Sequence, residues 1–207
     1  MRKTTIDEWL SDLASDKPAP GGGAAAGVNA AMGAALVSMV CNLTIGKPKF
    51  AEHEAVMREV LAEAERLRGE ALQLAEDDAE AFSGVVAAYK LPKSSDEEKA
   101  ARTAAIQVGL VEAAAVPLAV ARVAAEVIKL SGRILEGSNP NVLSDVAVAA
   151  SAAKSALESA ALNVDINLVS IKDQAERERL AGALNEALQA KVQAEAIMHA
   201  VAKRIRA

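Results

Sequence analysis

Pro18-Ala-Pro-Gly-Gly-Gly23, running straight into the almost charge-free stretch Ala24 to Val40, decides how this 207-residue chain is read. Consecutive glycines lose much backbone entropy on folding, so a stable protein keeps them where the chain bends sharply or approaches something closely. Here they open a helix from Gly23 to about Ile45, stopped by Gly46-Lys47-Pro48. That helix is apolar around most of its circumference, which places it at the centre of a bundle or at an interface between copies. Its first turn leaves about four backbone N–H groups unpaired, and with the helix dipole they form a seat for a carboxylate or phosphate. The competing use of the same residues is packing: Gly22, Gly23, Ala26, Ala30 and Gly33 let another helix come close.

Upstream of this stretch, Thr5 and Glu8 have capping-box spacing ahead of a short helix carrying Trp9, Leu10 and Leu13. A long helix is expected from about Ala51 to Tyr89, with Val56, Val60, Leu67, Leu74, Phe82 and Val85 near helical period. Ser95 and Glu98 repeat the capping box and open a helix in which Pro117 marks either a kink or a new start. Gly137-Ser-Asn-Pro-Asn141 is a turn, after which Val142 to about Ser170 and Lys172 to Arg206 complete the helices. No segment alternates long enough to suggest a strand. The expectation is an all-α bundle of about seven helices, some very long, around an Ala/Gly-rich central helix, as one domain over residues 1–207 and as a homodimer.

Composition narrows the function. Hydrophobic residues make up 52% of the chain and aromatics 2%, so the core is built from Ala, Val, Leu and Ile. A net charge of -5 without a basic stripe or interleaved aromatics excludes nucleic acid as the expected partner. Cys41 lies in an apolar run and reads as a small core residue, and a lone thiol makes neither an internal disulfide nor a multi-cysteine zinc site. His53 and His199 lack a second ligand at helical spacing and read as surface residues, so no metal is expected. The N-terminus lacks signal-peptide order, and Asn29 interrupts the one membrane-like run. The expectation is a cytoplasmic protein with no membrane partner.

Several polar residues stand where a bundle would bury them. Asp78 shares a helical stripe with Phe82, Val85 and Tyr89, which places its carboxylate near the core or at the rim of the stripe. Burial would raise its pKa into a range useful for proton transfer. Asn163 and Asn167, four residues apart, point one way, either to fix helix register or to read a flat heterocycle. Ser144-Asp145 follows the turn Asn139-Pro-Asn141 in a first helical turn, where the dipole already stabilises an acid. Lys47, Lys49, Lys90 and Lys93 lie at helix ends, suited to capping or to an anionic ligand tail.

Together, Pro18-Ala-Pro-Gly-Gly-Gly23, Leu43-Thr-Ile-Gly-Lys47, Asp78-Ala-Glu-Ala-Phe82, Leu91-Pro-Lys93, Val116-Pro-Leu118, Asn139-Pro-Asn141, Ser144-Asp145 and Asn163-Val-Asp-Ile-Asn167 resemble the formimidoyltetrahydrofolate cyclodeaminase and methenyltetrahydrofolate cyclohydrolase family, from about residue 6 to 173. The resemblance implies an all-helical, dimeric, folate-binding enzyme of one-carbon metabolism with no bound metal or redox cofactor. It resembles the stand-alone members, since the chain has no room for a fused formiminotransferase domain. Cyclodeamination of formimino-tetrahydrofolate, releasing ammonia, is the leading expectation, and hydrolysis of the methenyl bridge is the alternative. Asp78 is the expected acid/base and Asp145 the second candidate. Asn163 and Asn167 are expected at the pterin, Tyr89 stacked on a ring, and Gly21, Gly22 and Gly23 with Lys47 on glutamyl carboxylates; Asn139, Asn141 and Ser144 complete the expected binding set. The rival from another class is a non-catalytic helical scaffold using its smooth face for oligomerisation.

Overall fold

The computed structural model describes residues 3–207, and among them the chain folds as seven α-helices and two short 3₁₀ turns with no strand. The helices are α1 (Ile6–Leu13), α2 (Gly22–Asn42), α3 (Glu54–Tyr89), α4 (Asp96–Ile134), α5 (Leu143–Leu168), α6 (Gln174–Leu188) and α7 (Ala190–Arg206). Both expected capping boxes form: Thr5 accepts from the Glu8 N–H at the start of α1, and Ser95 from the Glu98 N–H at the start of α4. The helix expected from Ala51 starts at Glu54, because Pro48–His53 takes a 3₁₀ turn after the left-handed Gly46 (φ +76°). The long terminal helix expected from Lys172 is two helices. Asp173 caps α6 by accepting from the Glu176 N–H, and at Gln189 the backbone N–H turns back to Glu186, tightening the turn and parting α6 from α7.

Helices α2, α3, α4 and α5 form the central bundle in cyclic order, with α3 and α5 across one diagonal and α2 and α4 across the other. Helices α6 and α7 lie against α4 and α5. Small residues set the spacing at α2: a Cβ on Gly27 would stand 2.8 Å from the Cβ of Ala75 on α3, and one on Gly33 would stand 3.1 Å from the carbonyl of Ala149 on α5. The packing role expected of this helix is therefore real. Among the described residues the core contains no buried aromatic ring; its largest buried side chains include Met57, Leu67, Ile128, Ile134 and Leu157. Cys41 is fully buried, and burial pushes its thiol up to about 11. Two helices, α2 and α4, are long and apolar enough to cross a membrane, and both are core elements of the bundle. His53, expected at the surface, is half-buried with its ring against Gly137.

Pro117 lies inside an unbroken α4. Lacking an N–H, it cannot donate to the carbonyl of Ala113 one turn back, and that freed acceptor takes a hydrogen bond from Asn167 Nδ2 instead.

Candidate active site

The first turn of α2, the later part of α3, the middle of α4 and the end of α5 meet at one end of the bundle. They enclose a cavity of about 310 Å³. Pro18, Ala19 and the glycines Gly21 to Gly23 form its edge, Asp78, Phe82 and Val85 come from α3, Ala113 and Pro117 from α4, and Asn163, Ile166 and Asn167 from α5.

Among the described residues, Asp78 supplies the only charge in this lining. Its Oδ2 accepts a 3.0 Å hydrogen bond from the backbone N–H of Ala24, in the first turn of α2. A Cβ at Gly23 would fall 2.0 Å from Asp78 Oδ1, so glycine is required for the carboxylate to sit on the helix end. The sequence pointed to an anion seat at this terminus, and the chain's own Asp78 takes the Ala24 amide. Burial pushes the Asp78 carboxyl above its ordinary 3.8, while the Ala24 N–H pulls in the opposite direction. Oδ2 is thus held, and among the described residues Oδ1 has no hydrogen-bond donor.

The two asparagines spend their amide nitrogens within the protein. Asn163 Nδ2 donates to the Ser159 carbonyl at 2.8 Å, and Asn167 Nδ2 donates to the carbonyls of Asn163 at 2.8 Å and Ala113 at 3.3 Å. The Ala113 carbonyl is the one Pro117 leaves unpaired. Because only nitrogen can donate to a carbonyl, these contacts fix the amide orientation and leave each Oδ1 as an acceptor beside the cavity. Gly22 brings the α2 backbone alongside Asn163, with 3.4 Å from a Cβ built there to Asn163 Nδ2. Gln107 ties down the end of α5, donating to the Ser170 carbonyl and accepting from the Lys172 N–H.

Of the residues expected at a site, Gly21, Gly22, Gly23, Asp78, Asn163 and Asn167 come together. Asp145 lies in the first turn of α5, about 27 Å along the helix from Asn163. Ser144 faces a separate groove between α5 and α7, with Met198, Val201 and Ile205. Asn139 is a structural clasp at that far end: its N–H donates to Thr44 Oγ1, its Nδ2 to the Leu43 carbonyl, and its Oδ1 accepts from the Asn141 N–H. Lys47, four residues beyond Leu43, is exposed there too. Tyr89 lies past the cavity on α3, with the Arg102 guanidinium 5.5 Å from its ring centre. The residues that sequence reasoning missed at the cavity are Ile166 and the Ala113–Pro117 pair; Phe82 was read only as part of the Asp78 stripe. Proline in the middle of a helix was the available signal for the pair.

Residues 5–186 match the family model described as formiminotransferase-cyclodeaminase. Methenyltetrahydrofolate cyclohydrolase of Methylorubrum extorquens is 52% identical over 192 residues, spanning 88% of this chain and 92% of that protein. Formimidoyltransferase-cyclodeaminase of Rattus norvegicus is 34% identical across 94% of this chain, which matches 36% of that longer protein. Among solved structures, formiminotetrahydrofolate cyclodeaminase from Thermotoga maritima superposes with a TM-score of 0.84 at 33% identity, covering 98% of this chain and 96% of that one.

Proposed function

The chain belongs to the formiminotransferase-cyclodeaminase family, and from that premise we propose that it acts on the one-carbon bridge between N5 and N10 of tetrahydrofolate, with Asp78 moving the proton. The observation that carries this reading is Asp78 itself: a partly buried carboxylate with one oxygen held by the Ala24 N–H and the other free beside a cavity that two asparagine carbonyls also line. Those acceptors suit the N–H donors on the edge of a pterin. A scaffold gains nothing from such an arrangement, since an unpaired polar group on an apolar stripe only destabilises it.

The 52% relative, matched over nearly its whole length, favours hydrolysis of the methenyl bridge. In that reaction Asp78 accepts a proton from water as the water oxygen bonds to the bridge carbon. It returns the proton to N5 as the carbon–N5 bond breaks, and the remaining hydroxyl proton is released as the formyl group forms on N10. The solved neighbour favours the reading expected first, cyclodeamination. There N10 attacks the protonated formimino carbon, Asp78 takes the N10 proton, and the same proton leaves with the nitrogen as ammonia. Both steps put one proton through one carboxylate at a tetrahedral carbon, which general acid–base catalysis accelerates by about 10²–10⁴-fold.

The near-ultraviolet methenyl chromophore separates the two reactions. Its decay on adding protein to methenyltetrahydrofolate establishes hydrolysis, and its appearance from the formimino compound with ammonia release establishes cyclodeamination. A protein that leaves both compounds unchanged and binds neither overturns the folate reading. The reading includes a homodimer, supported by the uncovered apolar faces of α1 and α2, where Ile6, Leu10, Met32, Met39 and Leu43 are exposed.

A further inference from the structure

Resting on that reading, we propose that Phe82 and Ile166 form the seat of the aromatic ring that N10 carries, the aminobenzoyl ring of the folate. The cavity of about 310 Å³ lies at the small end of ligand sites, with room for a fused bicyclic head and the bridge carbon but not for the arylamide and glutamate as well. The remainder of the substrate therefore leaves through the mouth. The aminobenzoyl ring is one bond from N10, the atom whose proton chemistry brings it to Asp78, so the ring is confined to the mouth next to that carboxylate.

Two large apolar side chains stand there. Phe82 is one turn beyond Asp78 on the same face of α3, with Cβ atoms about 6 Å apart, and the residue is 45% exposed. Ile166 stands between Asn163 and Asn167 on α5 and is 69% exposed. Because α3 and α5 lie across the diagonal of the bundle, the two flank the opening from opposite sides, and both line the cavity. A flat ring held between them stacks on Phe82 and covers Ile166, withdrawing apolar surface that the chain itself leaves in water. Tyr89, the ring expected at the substrate, is two turns farther out under Arg102 and does not line the cavity.

The test uses full-length protein, as substrate whichever of methenyltetrahydrofolate and the formimino compound it converts, and p-aminobenzoylglutamate as a competing fragment. Phe82→Ala is expected to raise KM and the fragment's inhibition constant together by about tenfold, with a smaller change in kcat. Phe82→Tyr, which keeps the ring, restores both, and Val192→Ala, which trims an exposed apolar side chain on α7, moves neither. Circular dichroism and thermal melts verify that each variant is folded. Unchanged KM and unchanged fragment inhibition in Phe82→Ala overturn the seat while leaving the folate reading intact. Wild-type protein that neither binds nor converts either compound overturns the folate reading itself, and the seat with it.

Discussion

A carboxylate partly withdrawn from water is held at a cost, and at Asp78 the cost and the proposed use have one origin. Its folded-state pKa lies above the unfolded value, so between the two the folded protein binds more protons and loses stability as pH rises. Asp78→Asn removes that loss. The variant is expected to melt higher than wild type at pH 7, and the gap should close as pH falls toward the ordinary carboxyl value of 3.8. Turnover of the same variant should fall by about 10²–10⁴-fold. Equal melting points at pH 7 would mean that burial does not burden this carboxyl. Gly23 tests the same contact from the other side. In Gly23→Ala the new Cβ would stand 2.0 Å from Asp78 Oδ1, and the carboxylate, at the end of a short side chain, swings aside from the Ala24 N–H. Because alanine is about 1 kcal/mol better than glycine within a helix, stability should change little while kcat/KM drops at least about tenfold. Gly21→Ala, where a Cβ meets nothing within 4 Å, should fold as wild type in thermal melts. A Gly23→Ala enzyme with full activity would show that the observed carboxylate position is not the working one.

Between helices the site depends on a missing hydrogen bond. Pro117 cannot donate to Ala113, and the Ala113 carbonyl accepts from Asn167 Nδ2 instead, which leaves Oδ1 as the acceptor of a side chain that lines the cavity. Pro117→Ala supplies an N–H that closes the α4 ladder and competes for this acceptor. Its helix gain, up to about 3 kcal/mol, opposes the loss of buried ring contacts, so stability is expected to hold while KM for the folate rises several-fold. A variant with unchanged KM would show that Asn167 needs no such anchor. This link also marks where sequence reading stops. The capping boxes at Thr5 and Ser95, the shared face of Asn163 and Asn167 and the close packing through Gly33 are local or periodic and were legible in the chain. The contact of Asp78 with Ala24, 54 residues away, follows from the packing of α3 on α2, which no spacing rule encodes. Motif order likewise grouped Asp145, Ser144 and Lys47 with Asp78, although α2 and α5 carry them to the opposite end of the bundle. Periodicity gives the face of a helix a residue occupies, not the level at which neighbouring helices meet.

At the scale of the molecule, the uncovered surface lies on the side of the bundle that leads to the site. Helix α1 has a polar and an apolar face but buries none of its residues; Ile6 is 80% exposed and Leu10 50%. Beside it α2, a helix without a charged residue, exposes Met32 at 50% and Met39 at 37%, and Leu43 just past its end is 40% exposed. Between the two runs an open groove of about 570 Å³ lined by Trp9, Leu13, Val28 and Leu72 among others. Apolar surface continuous over two helices suits a self-complementary contact, in which neither copy has to bury an unpaired charge. The proposed homodimer should therefore elute at twice the 21.4 kDa chain mass in size-exclusion chromatography with light scattering. Met39→Lys, which would bury a cation at the contact, should release monomers that remain helical. Only residues 14–17 separate α1 from Pro18 and Ala19, which edge the cavity, so fixing α1 against a second copy also fixes the turn that starts α2 and seats Asp78. Separation should thus weaken folate binding more than it weakens the fold: KM of the Met39→Lys monomer rises while its far-ultraviolet spectrum is retained. Wild-type protein running at monomer mass at micromolar concentration, or a Met39→Lys variant that stays dimeric, would place the contact elsewhere.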